Sequence, residues 1–199
     1  RLVMLFGYSF SPRTSLVTEI EYEHVSEVYI EQAFIEYRIS PAINLTGGLL
    51  LVPMGIINQY HEPPTFNGVE RPSVDTRVVP TTWREIGLGI NGRLTNAALS
   101  YQLLLINGLK SYDEKGSLGG SNGIRSGRQK GAESIISSPN VALKVNYFGL
   151  PGLQVGAATF LGKTQSTLYN HLDTSDKDAV ARADSSQVGI HMFGLDYRF

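Results

Sequence analysis

The sequence has no cysteine, one tryptophan and no apolar run long enough for a membrane-spanning helix. Without cysteine, disulfides and thiol chemistry are excluded. The longest apolar stretch, 47–57, is short and interrupted by glycine and proline, which excludes a transmembrane helix. Charged residues make up 18% and the net charge is −1, which argues against the basic face of a nucleic-acid-binding protein. Transmembrane strands are not excluded, because each needs only about 9–11 residues of alternating polarity.

Alternation of apolar and polar residues with a period of two dominates the rest of the sequence. Within 14–24, one face holds Leu16, Thr18, Ile20 and Tyr22, and the other holds Glu19, Glu21 and Glu23. Such alternation is typical of half-buried strands. The pattern predicts nine strands, at 1–10, 14–24, 28–40, 42–52, 83–94, 96–107, 140–149, 153–162 and 187–199.

The links between the predicted strands are very unequal in length. Three are tight turns, at 40–42, 94–96 and 149–152, whereas 53–82, 108–139 and 163–186 are aperiodic and each exceed 20 residues. In a meander this order places the long links at one end of the sheet, where 24–28 is the short exception. Soluble domains seldom carry so many long structureless loops. Outer-membrane barrels combine short periplasmic turns with longer extracellular loops.

The residues on the two faces of the predicted strands form an apolar row and a polar row. Their composition also favours an outer-membrane barrel. Apolar rows carry aliphatic residues in mid-strand and aromatic residues near the ends, as the lipid-facing band of a barrel does. The prediction is an all-β protein, an antiparallel transmembrane β-barrel with meander topology, occupying 1–199 as a single domain. The alternative is a soluble β-sandwich binding module whose polar rows face solvent. A sandwich explains the alternation equally well but the unequal links and aromatic strand ends less well.

Several stretches of this sequence resemble one known family. They are the strand EQAFIEYRIS, the loop HEPPTFNGVERP, the strand start TTWRE and the loop SNGIRSGRQKGAE. Together they resemble the outer-membrane porin family called phosphate-selective porin O and P. The resemblance is strongest from Glu27 to Gly108 and weaker to about Gly162. It implies a porin in the outer membrane of a Gram-negative bacterium, and the phosphate preference comes from the family name alone. Members of this family are usually about twice as long.

The number of predicted strands indicates an incomplete barrel. FGLDYRF at 193–199 matches the terminal signature of outer-membrane barrels. If Phe199 lies on the periplasmic side, counting back nine strands places Arg1 on the extracellular side. Single-chain bacterial barrels have an even number of strands, so nine strands do not complete one. We therefore expect a fragment of a longer barrel, or one wrongly predicted strand.

The predicted function is a passive channel. Such a channel needs charged groups along a water-filled lumen. The charged residues assigned to the pore lining are Glu36, Arg38, Arg84, Glu85, Arg93, Lys144, Asp196 and Arg198. Their signs balance, so they predict no anion preference. Arg125, Arg128 and Lys130 make one long loop locally basic. These three either draw anions to the channel mouth or are ordinary solvated loop charges.

The irregular segment Asn58 to Trp83 contains four prolines and charges of both signs. Its length places it on the extracellular side, and prolines favour an ordered loop. We expect it to fold inward and narrow the channel. The residues assigned to this constriction or loop are His61, Glu62, Glu70, Arg71, Asp75 and Arg77.

The sequence predicts no enzyme, cofactor or metal site. GLGING at 87–92 has the spacing of a dinucleotide-binding motif but lies inside an alternating strand. The four histidines lack metal-ligand spacing, and no G-x-S-x-G motif occurs. The expected partners are outer-membrane lipid, lipopolysaccharide and small hydrophilic solutes, with a homo-oligomer or an envelope complex as the assembly. The alternative function is a non-transporting barrel subunit of a larger envelope assembly.

Overall fold

The computed structural model describes residues 2–23, 26–60, 72–114, 118–119, 123–131 and 133–199, with only the backbone of 76 and 77. Nine strands form one sheet: β1 (Leu2–Ser9), β2 (Thr14–Glu23), β3 (Glu27–Ser40), β4 (Ile43–Leu51), β5 (Arg84–Leu94), β6 (Leu99–Ile106), β8 (Asn140–Leu150), β9 (Leu153–Lys163) and β11 (Gly189–Arg198). Two short strands, β7 (Lys110–Tyr112) and β10 (Gln165–Ser166), form a parallel pair. The helices are α1 (Val74–Arg77) and α2 (Lys177–Ser185).

The main sheet is an antiparallel meander. Its spatial order, β1-β2-β3-β4-β5-β6-β8-β9-β11, follows the chain. All nine predicted strands are confirmed, and the protein is all-β in character. Among the described residues β1 and β11 each pair with one strand only, so the sheet is open. The same residues form no second large sheet facing it, as the β-sandwich alternative required.

The two ends of the sheet carry different kinds of connection. The short-turn end carries the links 10–13, 41–42, 95–98 and 151–152. The loop end carries the links 24–26, 52–83, 107–139 and 164–188. This is the predicted asymmetry, including the single short link at the loop end. It follows from the meander, because successive links alternate between the two ends.

The outer face of the sheet is apolar and uncovered. Ile35 is 50% exposed, Leu88 67% and Leu105 50%. In soluble proteins residues of this type are usually buried, and a large contiguous apolar surface marks an interaction site. The sheet therefore exposes the row that normally builds the core.

The core lies on the inner face, between the sheet and the loops. Leu104 and Phe160 on the sheet, and Val52 and Trp83 in the link between β4 and β5, are all 0% exposed. The ring centroids of Trp83 and Phe160 are 4.7 Å apart. A Cβ added at Gly89 would lie 2.4 Å from Leu104 Cδ2, so this glycine makes room for the packed leucine. The inner face is therefore partly apolar at the loop end.

The long links contain regular structure that alternation could not predict. Gln165 of β10 is fully buried, and its Oε1 accepts hydrogen bonds from the backbone nitrogens of Ser137 and Ser138 at 2.6 and 3.0 Å. Asp176 caps α2 by accepting from two backbone N–H groups at 3.0 Å each. Within the described residues, no helix has the length and hydropathy that a bilayer crossing requires. The hydrogen bonds of Gln165 and Asp176 therefore order these parts of the links at the loop end.

We expect Trp83→Ala to lower the free energy of unfolding by about 3–5 kcal/mol, because it leaves a cavity against Phe160. Urea titration measures this loss. The matched control is Ile136→Ala in the link between β6 and β8, where the side chain is 63% exposed. That change should cost under about 0.5 kcal/mol. Equal effects of the two substitutions would show that the loops do not depend on this core.

Candidate functional site

A charged cleft of about 190 Å³ opens at the loop end of the inner face. One side comes from β2 and β3, and the other from the link residues and the start of β5. We call this the charged cleft, and its lining residues are Glu21, Glu23, Tyr29, Glu31, Thr82, Arg84, Arg125, Arg128 and Lys130. It therefore brings the three predicted basic mouth residues beside a predicted pore-lining residue, Arg84.

The acidic side of the charged cleft depends on a β-bulge in β3. Glu19 pairs with Gln32 and Ile20 with Ile30, which makes Glu31 the extra residue. A bulge redirects a side chain that strict alternation would place on the other face. Glu31 Oε2 lies 2.9 Å from Arg84 Nη1, and both side chains are 5% exposed. This buried ion pair connects β3 to the start of β5.

The basic side is fixed by hydrogen bonds between two links. Arg125 donates to the Thr81 carbonyl, and Arg128 Nη1 donates to the Thr82 carbonyl at 3.0 Å. The Lys130 ammonium lies 5.8 Å from the centroid of the Tyr29 ring. The backbone contacts occupy the guanidinium groups without neutralising their charge. The charged cleft therefore keeps its positive loop charges in a defined place.

Burial and neighbouring charges shift pKa values in this basic cluster. Burial lowers the pKa of Lys130 below its usual value, and the positive charges of Arg128, Arg84 and Arg125 lower it further, whereas Glu31 raises it. Burial also lowers the pKa of Arg125. A cation whose pKa is lowered by neighbouring cations lies in a region of positive potential. Such a region attracts anions.

The described start of the irregular segment lies on the inner face. Asn58 is 0% exposed and donates to the carbonyls of Val52 and Trp83 at 2.7 and 2.9 Å, while the Trp83 N–H donates to Asn58 Oδ1 at 2.7 Å. Gln59 Nε2 donates to Gln102 Oε1 of β6 at 3.3 Å. Asn58 thus joins both ends of the link, and Gln59 holds it against the sheet.

Two predicted pore-lining residues form an ion pair beneath this link. Lys144 Nζ lies 3.1 Å from Asp196 Oδ2, and the side chains are 2% and 12% exposed. The same ammonium donates to the Gly55 carbonyl at 3.0 Å. A Cβ at Gly156 would lie 2.4 Å from Asp196 Oδ1, so glycine on the intervening strand makes room for the carboxylate. The pair connects β8 to β11 and holds the link in place.

Towards the short-turn end the inner face is polar and open. A recess of about 380 Å³ there is lined by Pro41, Asn44, Gln59, Asn91, Gly92, Arg93, Ser100, Tyr101, Gln102, Lys144 and Asn146. We call this surface the polar wall. Asn44 Nδ2 donates to Asn91 Oδ1 at 3.0 Å, and Asn91 Nδ2 donates to Glu36 at 3.5 Å. Uncharged amides and a few charges therefore line this half of the inner face.

The remaining predicted pore-lining residues occupy different environments. The Arg93 guanidinium lies 4.0 Å from the Phe148 ring centroid, and that of Arg198 lies 5.4 Å from the Tyr60 centroid. Arg38 is exposed. Glu85 is fully buried under the loops and accepts from Trp83 Nε1 at 2.9 Å. Glu85 is therefore covered by protein.

Most residues assigned to the constriction fall outside the described part of the chain. These are His61, Glu62, Glu70, Arg71 and the side chain of Arg77. Asp75 is described, and it lines a cavity beside β11. In the described ranges, no group of three or more His, Asp or Glu residues is placed to hold a metal ion.

Sequence reasoning missed five residues of the charged cleft as site residues: Glu21, Glu23, Tyr29, Glu31 and Thr82. Glu21 and Glu23 were visible as an acidic row in β2, but nothing in that row indicated what lies opposite. Tyr29 gave no signal, because the bulge at Glu31 puts it out of the alternation that continues from Gln32. An acidic residue that breaks an alternating pattern is the only local cue.

Comparisons with known proteins identify one similar sequence and no fold match. No family model matches the chain. No solved structure matches it. A protein of Aquifex aeolicus (strain VF5), described as uncharacterized, is 39% identical over 175 residues, covering 83% of this chain and 39% of that protein. The chain thus spans about two fifths of the length of this relative.

The buried pair predicts a non-additive effect on stability. Lys144→Met should lower the free energy of unfolding by about 3–5 kcal/mol, because it leaves the Asp196 carboxylate buried without its cation. Adding Asp196→Asn should recover part of that loss. Urea titration of the two single variants and the double variant gives the coupling energy. Lys177→Met on α2 is the exposed control, and additive losses at 144 and 196 would contradict the pairing.

The charged cleft predicts pKa changes of opposite sign at Lys130. Arg128→Gln should raise the pKa of Lys130 because a neighbouring positive charge is removed, and Glu31→Gln should lower it further. NMR titration of isotopically methylated lysines measures both shifts. Arg38→Gln, at the short-turn end, is the control and should change nothing. Shifts of the same sign in the two cleft variants would contradict the described arrangement.

Proposed function

We propose that this chain forms part of the wall of a β-barrel porin in the outer membrane of a Gram-negative bacterium. The observation that carries the proposal is the inverted polarity of the sheet, whose apolar row is exposed and whose inner row is polar or covered by loops. A lipid bilayer gives the exposed row an apolar environment, and a water-filled lumen suits the polar wall. The chain has no role as an enzyme in this proposal.

Closure of the barrel requires further strands. The open edges at β1 and β11 cannot remain unpaired in a bilayer, because water is absent there and an unsatisfied backbone group costs several kcal/mol. The similarity to a protein more than twice as long supports a larger barrel. So does the resemblance to porin O and P sequences, whose members are longer chains.

The solute path runs through the charged cleft and along the polar wall. The core around Trp83 and Phe160 fills the inner face between them, so the passage is narrowed at the loop end. Solutes that fit are small and hydrophilic. The positive charges around Lys130 favour anions at the entrance. Phosphate as the preferred anion rests on the family resemblance alone.

Conductance in a planar lipid bilayer tests the proposal, with the complete gene product that carries these residues. We expect discrete ion steps and a preference for anions in a salt gradient. Lys130→Glu should shift the reversal potential towards cation selectivity, changing the permeability ratio by at least about twofold. Lys177→Glu, the same charge change on exposed α2, should leave selectivity unchanged. Equal shifts of the reversal potential in both variants would show that the solute path does not run through the charged cleft.

One observation favours a second function, a non-transporting barrel subunit of an envelope assembly. The apolar core and the neutralised Lys144–Asp196 pair cover much of the inner face, as a plug would. A barrel filled in this way supports the membrane without passing solutes. The bilayer experiment separates the two functions, because folded, detergent-extracted protein that inserts without ion steps supports the second and contradicts the first.

A further inference from the structure

The outer residues of β11 are more exposed than their counterparts inside the sheet. Phe193, Leu195 and Tyr197 are 77%, 86% and 75% exposed, whereas the large exposed apolar residues of β5 and β9 range from 37% at Leu161 to 67% at Leu88. Interior residues are covered by cross-strand neighbours on both sides. The additional exposed surface of these β11 side chains is therefore the surface that one more neighbouring strand would cover.

A cavity runs along the same open edge. It measures about 880 Å³ and extends from both faces of β11 to the residues 54–57, 74, 75, 78 and 79 of the long link. Val74 and Val78 in that link are 61% and 58% exposed. Met54 contacts the inner face of β11 at Gly194, where an added Cβ would lie 3.8 Å from its Cε. The link therefore reaches the edge of the sheet and presents apolar side chains beside it.

The open edge of β11 has the regular extended backbone that pairing with another strand requires. Strand β11 runs for ten residues without proline, and its full length pairs with β9 on the other side. Natural proteins protect edges with prolines, bulges, short strands or inward-pointing charges. β11 has none of the first three, and its inward Asp196 is paired with Lys144. About half of its backbone N–H and C=O groups are directed away from β9.

The direction of the strands indicates whether a second copy of this chain or further polypeptide pairs with the open edge of β11. β1 and β11 both run from the loop end to the short-turn end, since eight antiparallel steps separate them. A second copy in the same membrane orientation would place its β1, or its own β11, parallel to β11. All pairs in the main sheet are antiparallel, and antiparallel pairing is slightly more stable per residue. A strand running from the short-turn end to the loop end fits this edge better.

We propose that β11 and the apolar surface formed by Ile57, Val74 and Val78 dock one antiparallel β-strand from polypeptide outside residues 1–199. The inner residues of that strand are apolar beside Val74 and Val78, and polar beside Arg198 at the short-turn end. The similar Aquifex protein has this additional length, since the match covers 39% of it. The inference adds a docking surface to the proposed barrel and does not depend on solute passage.

Cysteine labelling tests the proposal, because residues 1–199 contain no cysteine; any cysteine outside them is first replaced by serine. Val78→Cys and Val74→Cys are compared with Ile136→Cys in the complete gene product, since the three native side chains are 58%, 61% and 63% exposed. The two edge positions should react with a maleimide at least about tenfold more slowly than position 136, as expected for a site that opens only locally. A short bifunctional crosslinker at position 78 should capture a segment outside 1–199.

Two outcomes would overturn the proposal. If both edge positions react as fast as position 136, the edge is open in the complete protein. If protection disappears on dilution to monomers, or the crosslinker joins two copies, a second copy covers the edge. Neither outcome depends on conductance, so failure of the docking surface is distinguishable from failure of the channel function.

Discussion

Strict alternation along the strands is the constraint on which the rest of the structure depends. Successive side chains of a strand lie on opposite faces, and here the row with most of the aliphatic residues is the uncovered one. The other row must then hold the charged and amide side chains, and the long links must cover what is apolar on it. Leu104 and Phe160 lie in one buried cluster with Trp83 of the link between β4 and β5. The loop positions follow from the polarity of the sheet.

This coverage divides the inner face into regions with different chemistry. Under the links, apolar packing and the Lys144–Asp196 pair hold the link between β4 and β5 against the sheet. Towards the short-turn end, amides dominate the polar wall. At the loop end, between the core and β2–β3, charged groups of both signs surround the charged cleft. Packing in one region therefore determines where a polar passage can exist in the others.

Alternation with a period of two predicted the nine strands, and the unequal lengths of the links predicted the two kinds of ends. It did not predict α2, β7 or β10, whose stability comes from local contacts such as those of Asp176 and Gln165. It placed Arg125, Arg128 and Lys130 in one loop but could not bring Glu31 to them, since a bulge shifts the register. Lys144 and Asp196 were predicted on the polar row, and their pairing needed the three-dimensional order of β8, β9 and β11. Barrel closure and solute passage stay predictions.

The central claim is that the uncovered apolar row faces lipid and the opposite row faces water. Nitroxide labels at successive positions of β3 in the reconstituted protein test it most directly, with oxygen as the lipid-soluble relaxation agent and a nickel chelate as the aqueous one. At Ile35 and Tyr37, which are 50% and 42% exposed, we expect collisions with oxygen to dominate. At Glu36 and Arg38 we expect the nickel chelate to dominate. Strong nickel-chelate collisions at all four positions would contradict the account, because the apolar row would then lie in water.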